Sequence, residues 1–503
     1  MNIILARRNA YPWCPFIYFL AVAAVFMVLV PPLETPDEGH HLNYINYVSR
    51  HLALPNQYIP EKFVIGEGHQ YPLYYMVGAG FIRLLNADHA VDLTGVPNKK
   101  HALLGGDSLK VPSFHHVGVD IFKARSDALS FYALRALSVL FGLITVIFIY
   151  RLAGLFFNEP RWAGFAAVLA ATLPQFIFIS ISVSNDGLSF ALAAAALFYM
   201  AKIAGSRDEP SARHSPVAFI HGRVRRKWTP GQSPGPRPPS KDPRPDWKNH
   251  LLLGLALGLG VLAKKSGLVL LLPAALVLIR AAWLRRGDGF KKILGPAAAT
   301  ALIVIILTGW VFVRNQILYG EILGSRMERT TLAPLGLVDE KTPTLSYVFG
   351  YFLPRLGTSF VAMFGQWASF LPPAVYIFYL AVFLAGFAGA IISLIEKKLR
   401  DFITLLLIVA LLATFGAVYY YNLTYTQPQG RLLFPALGAI AVLMAVGLKY
   451  LFSGIKTRSA RRVLFAALVC AFLAIDVIAA FRLFHFYHDP AQYALTFFAG
   501  KIG

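Results

Sequence analysis

Charge is scarce in this chain. Asp, Glu, Lys and Arg make up only 14% of its 503 residues, where a soluble domain carries about a quarter. That shortage, beside 57% hydrophobic residues, excludes an ordinary soluble enzyme. Acids are scarcer still, 25 against 47 Lys and Arg, for a formal net charge of +22. In a membrane protein such an excess reads as basic cytoplasmic loops and an anionic ligand rather than nucleic acid. Cysteine is nearly missing. Cys14 and Cys470 lie at opposite ends of the chain, which excludes a disulfide framework and a cysteine metal site. No internal repeat is visible, which argues against a transporter built on duplicated halves. A small-residue cleavage site is also missing. Leu29-Val30-Pro31-Pro32 closes the first apolar run, so that run, preceded by Arg7 and Arg8, reads as an uncleaved span.

What is present is a series of apolar runs. A span needs about 20 apolar residues, and eleven are expected: 16–30, 131–157, 162–181, 187–203, 251–262, 268–283, 293–313, 374–395, 402–419, 432–450 and 463–483. The fold class is therefore an all-α polytopic membrane bundle. Placing Lys and Arg inside puts the N-terminus in the cytoplasm and residues 33–128 and 314–372 in two large external loops. Amphipathic helices are expected in them over 37–51, 71–85 and 347–360. Residues 205–249 differ in composition, with ten Lys and Arg against four acids and many prolines. They read as a disordered cytoplasmic loop near anionic headgroups. Residues 1–450 form the main module. Residues 451–503 add the last span and an external tail.

The sharpest stretch is Leu33-Glu34-Thr35-Pro36-Asp37-Glu38-Gly39-His40-His41, directly after the first span. Thr35 as N-cap, Pro36 at the first helical position and Glu38 three residues after Thr35 read as a capping box. That accounts for Glu38 without chemistry. Nothing structural requires an acid at Asp37, and capping leaves His40 and His41 unexplained. On the same expected face lie His69, Gln70, Asn185, Asp186, Lys264, Lys265, Arg314, Asn315, Glu321, Gln429 and Arg431. Basic residues there run against the positive-inside bias, and an anionic ligand at the membrane surface would supply a reason. Bland readings stand beside this one. Asn185 or Asp186 caps a span, Lys264, Lys265 and Arg431 snorkel, His69 is a packing imidazole, and Tyr74 and Tyr75 join an aromatic belt. Span interiors are nearly free of charge, Asp476 being the exception, and a transporter should carry more.

The order of these segments resembles the GT-C superfamily of polyprenyl-phosphate-sugar-dependent glycosyltransferases, and within it an uncharacterised bacterial multi-span family. The resemblance runs through Pro36-Asp37-Glu38-Gly39-His40, Gln70-Tyr71-Pro72-Leu73-Tyr74-Tyr75 and Ser184-Asn185-Asp186-Gly187. It continues through the 258–267 segment ending Lys264-Lys265-Ser266-Gly267, then Val313-Arg314-Asn315-Gln316 with Tyr319-Gly320-Glu321, and Gln429-Gly430-Arg431-Leu432. It covers about residues 15–450, the 205–249 insertion lying outside the pattern. Tyr71 and Leu432 depart from it, since many relatives have proline and an aromatic there.

The resemblance implies a bacterial inner-membrane glycosyltransferase with its site facing the periplasm or exterior. Asp37 would be the catalytic carboxylate, as general base on the acceptor hydroxyl or as the group that binds and orients the acceptor, with Glu38 and Asp186 as further catalytic carboxylates. Arg431, Lys264, Lys265 and Arg314 would take the donor phosphate. His41, His69, Gln70, Tyr74, Asn315, Glu321 and Gln429 would contact substrate. The partners implied are a polyprenyl-phosphate sugar, a glycan or lipid acceptor and membrane lipids, with no nucleic acid. A divalent cation, Mg or Mn, is used by some members, and Asp37, Glu38, Asp186 and His69 are the residues that would build its site. The rival readings are a lipid-linked polysaccharide polymerase or ligase, and a transporter or flippase of lipid-linked sugars.

Overall fold

The computed structural model describes residues 13–86, 96–97, 114–115, 126–205, 247–284, 290–365, 369–396, 402–425 and 427–488. Most of the expected basic loop (206–246), part of the first external loop, Gln366-Trp367 and the C-terminal tail lie outside them. The regular structure of the described residues is helical, apart from the two-residue strands β1 (Val96–Pro97) and β2 (Phe114–His115), paired antiparallel, and two isolated bridges. In order come α1 (Cys14–Leu29), α2 (Glu38–His51), α3 (Leu73–Asn86), α4 (Ser126–Ala153), α5 (Pro160–Ala171), α6 (Pro174–Ser180) and α7 (Asn185–Gly205). They are followed by α8 (Trp247–Ala263), α9 (Leu271–Leu284), α10 (Phe290–Tyr319), α11 (Ser325–Leu332) and α12 (Leu353–Val361). The chain ends with α13 (Pro373–Ile395), α14 (Phe402–Asn422), α15 (Leu437–Ser453) and α16 (Arg458–His488).

Among the described residues, eight helices are long and apolar enough to cross a membrane, which makes this a multi-pass membrane protein. Three of the eleven expected spans fall outside that test for physical reasons. The run at 162–181 is not one helix. Pro174 lacks an N–H and cannot continue α5, so α5 and α6 meet at 66° and count at most as a ninth span. Helices α1 and α8 have 16 and 17 residues, roughly 25 Å at 1.5 Å per residue against a hydrocarbon core of about 30 Å. The expected loop at 205–249 is also shorter at its edges, since Gly205 ends α7 and Trp247 begins α8.

Two spans are enclosed by the rest. Gly430–Ser453 is 89% buried and Asn185–Gly205 78%, against 22–44% for the other six. Close backbone approach makes the first possible. At the crossing of α13 and α15, a Cβ on Gly447 would overlap the Gly386 carbonyl, and one on Gly389 the Gly447 carbonyl. This is the small-residue packing that membrane helices favour. At the bundle's edge, the Tyr18 hydroxyl on α1 donates to Asp476 on α16 at 2.7 Å. An intramembrane carboxyl thus ties the last helix to the first.

The expected capping box does not form. Helix α2 starts at Glu38, with Asp37 as N-cap in the left-handed region at φ 60°. Thr35 instead hydrogen-bonds the Ser182 hydroxyl at 2.8 Å. The Glu38 carboxylate turns into the bundle and meets Arg135 of α4, whose Nε and Nη2 donate at 3.0 and 2.7 Å. Both side chains are fully buried. The remaining valences close on backbone. The Leu33 and Val183 N–H groups donate to Glu38 at 2.9 and 3.0 Å, and Arg135 donates to the Val30 and Pro31 carbonyls. Arg135, like Asp476, is thus a buried charge within an expected span. Losing one partner strands the other in a dry interior. Arg135→Ala is expected to cost about 3–5 kcal/mol, read as a large drop in melting temperature of the purified protein. Replacing both, Arg135→Met with Glu38→Leu, is expected to recover much of it.

Candidate active site at one end of the bundle

The two enclosed helices present their polar ends at the same place. Asp186 lies in the first turn of α7, and Arg431 opens the 3-10 turn Gly430–Ala436 that leads into α15. Gly430 fixes Arg431. A Cβ there would overlap the Phe360 backbone, and its N–H donates to the Ser359 hydroxyl at 2.8 Å. The loop after α1 brings Asp37 to the same point. Arg431 pairs with Asp37 through Nη2 and with Asp186 through Nη1 at 3.3 Å. Lys264, at the end of α8, pairs with the other oxygen of Asp186. Charges therefore alternate along Asp37, Arg431, Asp186 and Lys264. The Arg431 and Asp186 side chains are 6% and 3% exposed, Lys264 18% and Asp37 37%. Asp37 is thus at the mouth of the cluster. Among the described residues, the buried Arg431 Nε has no hydrogen-bond partner.

Burial alone would raise the Asp37 carboxyl, and the Arg431 guanidinium overrides it, holding the group below the usual carboxylate range. His41 lies one turn along α2 from Asp37, its Nδ1 2.9 Å from the Tyr75 hydroxyl. Burial pushes this imidazole down, against the opposing pull of Glu67, Asp37 and Asp186, so it is neutral at pH 7.

A second chain of polar groups runs beside the first. Asn185 donates to Gln70 at 3.3 Å, and Gln70 donates to His69 Nε2 at 3.1 Å. His69 Nδ1–H donates to the Gly66 carbonyl at 2.9 Å, which fixes the tautomer. Glu328 of α11 stands 3.8 Å from His69 and pairs with Lys265. Tyr421 donates to it at 3.5 Å.

The sequence-predicted residues separate accordingly. Asp37, Asp186, Lys264 and Arg431 meet directly. Gln70 and His69 join through Asn185, and Lys265 through Glu328. Gln429 is buried one residue before Gly430. Tyr74 is fully buried, 3.5 Å from Ser138. Arg314 donates to the Pro55 carbonyl, and Asn315 to the Ile322 carbonyl at 3.2 Å. Glu321 accepts from the Arg326 and Met327 N–H groups at 2.8 and 2.7 Å and so caps α11. Glu38 is wholly engaged with Arg135. Sequence reasoning missed Arg135 and Glu328. A charge four residues inside an expected span was a usable signal for Arg135. Glu328 had none, since its partners lie on other elements.

Among the described residues, no three or more His, Cys, Asp and Glu side chains are grouped to hold a metal. Asp37, Glu38, Asp186 and His69 do not converge. Arginine takes both Asp37 and Glu38, Asp186 lies between two cations, and both His69 nitrogens are hydrogen-bonded. These residues do not fit a divalent cation.

The depressed Asp37 carboxyl has a consequence for stability. The sign follows from linkage: a lowered folded-state value stabilises above the ordinary carboxylate range, and that stability is lost as pH falls through it. The melting-temperature advantage of the protein over Asp37→Asn is expected to hold from pH 8 to pH 5. It should shrink below about pH 4.

Comparison with known proteins adds a separate finding. Residues 119–212 and residues 240–318 match two family models, each described as dolichyl-phosphate-mannose-protein mannosyltransferase. The matched segments contain Arg135, Asp186, Lys264 and Arg314. No curated protein matches the chain. Among solved structures, the chain is similar to ArnT from Cupriavidus metallidurans bound to undecaprenyl phosphate, at 14% identity over 98% of this chain and 76% of that one, TM-score 0.49. It is also similar to the apo oligosaccharyltransferase of Archaeoglobus fulgidus, at 16% identity over 95% of this chain and 56% of that one, TM-score 0.47. A third likeness is to the Pmt1–Pmt2 protein O-mannosyltransferase complex of S. cerevisiae bound to its sugar donor, at 17% identity over 64% and 36%, TM-score 0.37. The chain spans about half the length of the archaeal oligosaccharyltransferase. The two partial family-model matches agree with the resemblance carried by the motifs: residues 119–212 and 240–318 of this chain are similar to polyprenyl-phosphate-dependent membrane glycosyltransferases.

Proposed function

We propose that the protein transfers a sugar from a polyprenyl-phosphate-linked donor to a hydroxyl on a glycan, lipid or protein acceptor, at the periplasmic or external face of a bacterial inner membrane. The observation that carries this reading is Arg431, a buried guanidinium held between two carboxylates with one N–H unpartnered. Such a group is arranged to exchange a carboxylate for a phosphate. The name of the matched family, which points to a dolichyl-phosphate-linked mannose, supports the donor class.

In the proposed reaction Arg431 and Lys264 take the donor phosphate, and Asp186 holds the two cations in register. Lys265 and Arg314 lie further off, engaged with Glu328 and Pro55. The acceptor hydroxyl attacks the anomeric carbon from the face opposite the phosphate. The new C–O bond forms as the sugar–phosphate bond breaks, its electron pair leaves with the phosphate, and the configuration inverts. The hydroxyl proton passes to the Asp37 carboxylate. In the resting site that carboxylate is a weak base, because Arg431 stabilises its charge. When Arg431 turns to the phosphate, Asp37 loses that stabilisation and becomes more basic. Donor arrival thus prepares the base.

The test is transfer from radiolabelled polyprenyl-phosphate sugars to candidate acceptors by protein in nanodiscs. Asp37→Asn keeps the left-handed backbone that Asn tolerates and is expected to lower turnover about 10²- to 10⁴-fold, with donor binding retained. Arg431→Ala is expected to lose donor binding. Unchanged transfer by Asp37→Asn would falsify the role given to this carboxylate.

A further inference from the structure

We infer that α3 is an in-plane helix sunk into the bilayer leaflet beside the charged cluster, with its outward face presented to lipid acyl chains. Its 14 residues are too few to span a bilayer. Its inward face is made of Tyr74, Tyr75, Gly78, Ala79 and Ile82, all buried and spaced as one side of a helix. The opposite face carries Leu73, Met76, Val77, Phe81, Leu84 and Leu85. Met76 is 47% exposed and Leu84 86%. The one charged residue of the helix, Arg83, is half-buried and donates to the Ser49 carbonyl at 2.7 Å. A helix lying on a membrane surface turns charge to the water. This one is apolar on both faces, as a helix set between protein and hydrocarbon is.

The height of α3 in the bundle agrees. Basic residues mark the far end of the spans. A hydrocarbon core of about 30 Å takes about 20 residues. Counted from Arg151 on α4 and from Lys292 on α10, that length ends near Phe131 and Phe312. The partners of α3 lie at or below this level. The Tyr74 hydroxyl is 3.5 Å from the hydroxyl of Ser138, which is about 10 Å deeper along α4 than Phe131. Leu73 shares one apolar cluster with Leu307 and Val311 of α10. Ala79 and Ile82 share another with Phe131 and Leu134 of α4. At this depth there is no bulk water, so an exposed side chain meets either protein or acyl chains. Continuity favours acyl chains, because Ile305 and Ile306 on α10 and Leu129 and Leu140 on α4 are exposed as well. The helix is thus the wall between the leaflet and the site. Tyr75 on its inward face meets His41, and Gln70, just before α3, donates to His69 and meets Asn185.

The experiment is nitroxide accessibility by electron paramagnetic resonance on the full-length protein in phosphatidylcholine nanodiscs, in a Cys14→Ser, Cys470→Ser background. Met76→Cys, Val77→Cys and Leu84→Cys are spin-labelled one at a time. Ile306→Cys, on the exposed face of α10, and Thr330→Cys, exposed on α11, are the lipid and water references. All three α3 labels are expected to collide with oxygen more often than with a water-soluble nickel chelate, as the Ile306 label does. Nickel collisions matching those at Thr330 would put the helix in water and overturn the inference. Rare collisions with both reagents would show this face covered by protein, a second copy or another chain, and overturn it equally. A second measurement needs no substitution. Phosphatidylcholine carrying a diazirine in its acyl chain is photolysed around the unaltered protein, and the adducts are mapped by mass spectrometry. Adducts are expected within residues 73–85 as well as within 302–313. Adducts within 302–313 and none within 73–85 overturn the inference. Neither readout depends on sugar transfer, so the result stands apart from the reaction proposed above.

Discussion

A single buried ion pair holds the charged end of this bundle together. Arg135 and Glu38 are both fully enclosed, and between them they engage the end of α1, the loop that follows it, the start of α2 and the bend before α7. A buried pair of this kind is weak as a source of stability, since desolvation consumes most of the attraction. Its effect is specificity of geometry. Asp37 precedes Glu38, and Asp186 follows Val183 by three residues, so the clamp sets the positions of both acidic members of the charged cluster. The loop it fixes is strained. Leu33 and Asp37 adopt φ of 70° and 60°, a region that non-glycine residues enter at a cost of order 1–3 kcal/mol. The clamp is what over-determines that conformation.

Within this frame the alternation of charge has a clear electrostatic logic. Two carboxylates keep Arg431 and Lys264 neutralised in the absence of substrate, so neither cation is buried alone. In the proposed reaction a phosphate group would compete for the same donors and relieve the carboxylates of their partners. That proposal couples binding and basicity through one guanidinium, with no large movement of the backbone required.

The sequence made the large features visible and some small ones invisible. Apolar runs of 20 residues announce spans because the bilayer imposes one length, and charge at span ends announces one face. That logic brought Asp37, Asp186, Lys264 and Arg431 onto one side, where they do meet. It failed where tertiary partners override local pattern. Thr35, Pro36 and Glu38 have the spacing of a capping box, yet a buried arginine 97 residues away attracts Glu38 more strongly than the helix end does. The break at Pro174 was written in the chain but concealed by the apolar residues around it. Glu321 and Arg314 matched motif positions, and their caps and carbonyl contacts could not be read without coordinates.

The separation of partners along the chain orders the assembly of the site in time. Glu38 and Arg135 are 97 residues apart, so their clamp becomes available once the fourth helix has been made. Asp37 and Arg431 are 394 residues apart. A ribosome inserting this protein from its N-terminus must therefore build most of the bundle, with the first carboxylate already in position, before the guanidinium that controls it exists. The charged cluster is completed only when Arg431 has been made, after the segments that carry Asp37, Asp186 and Lys264.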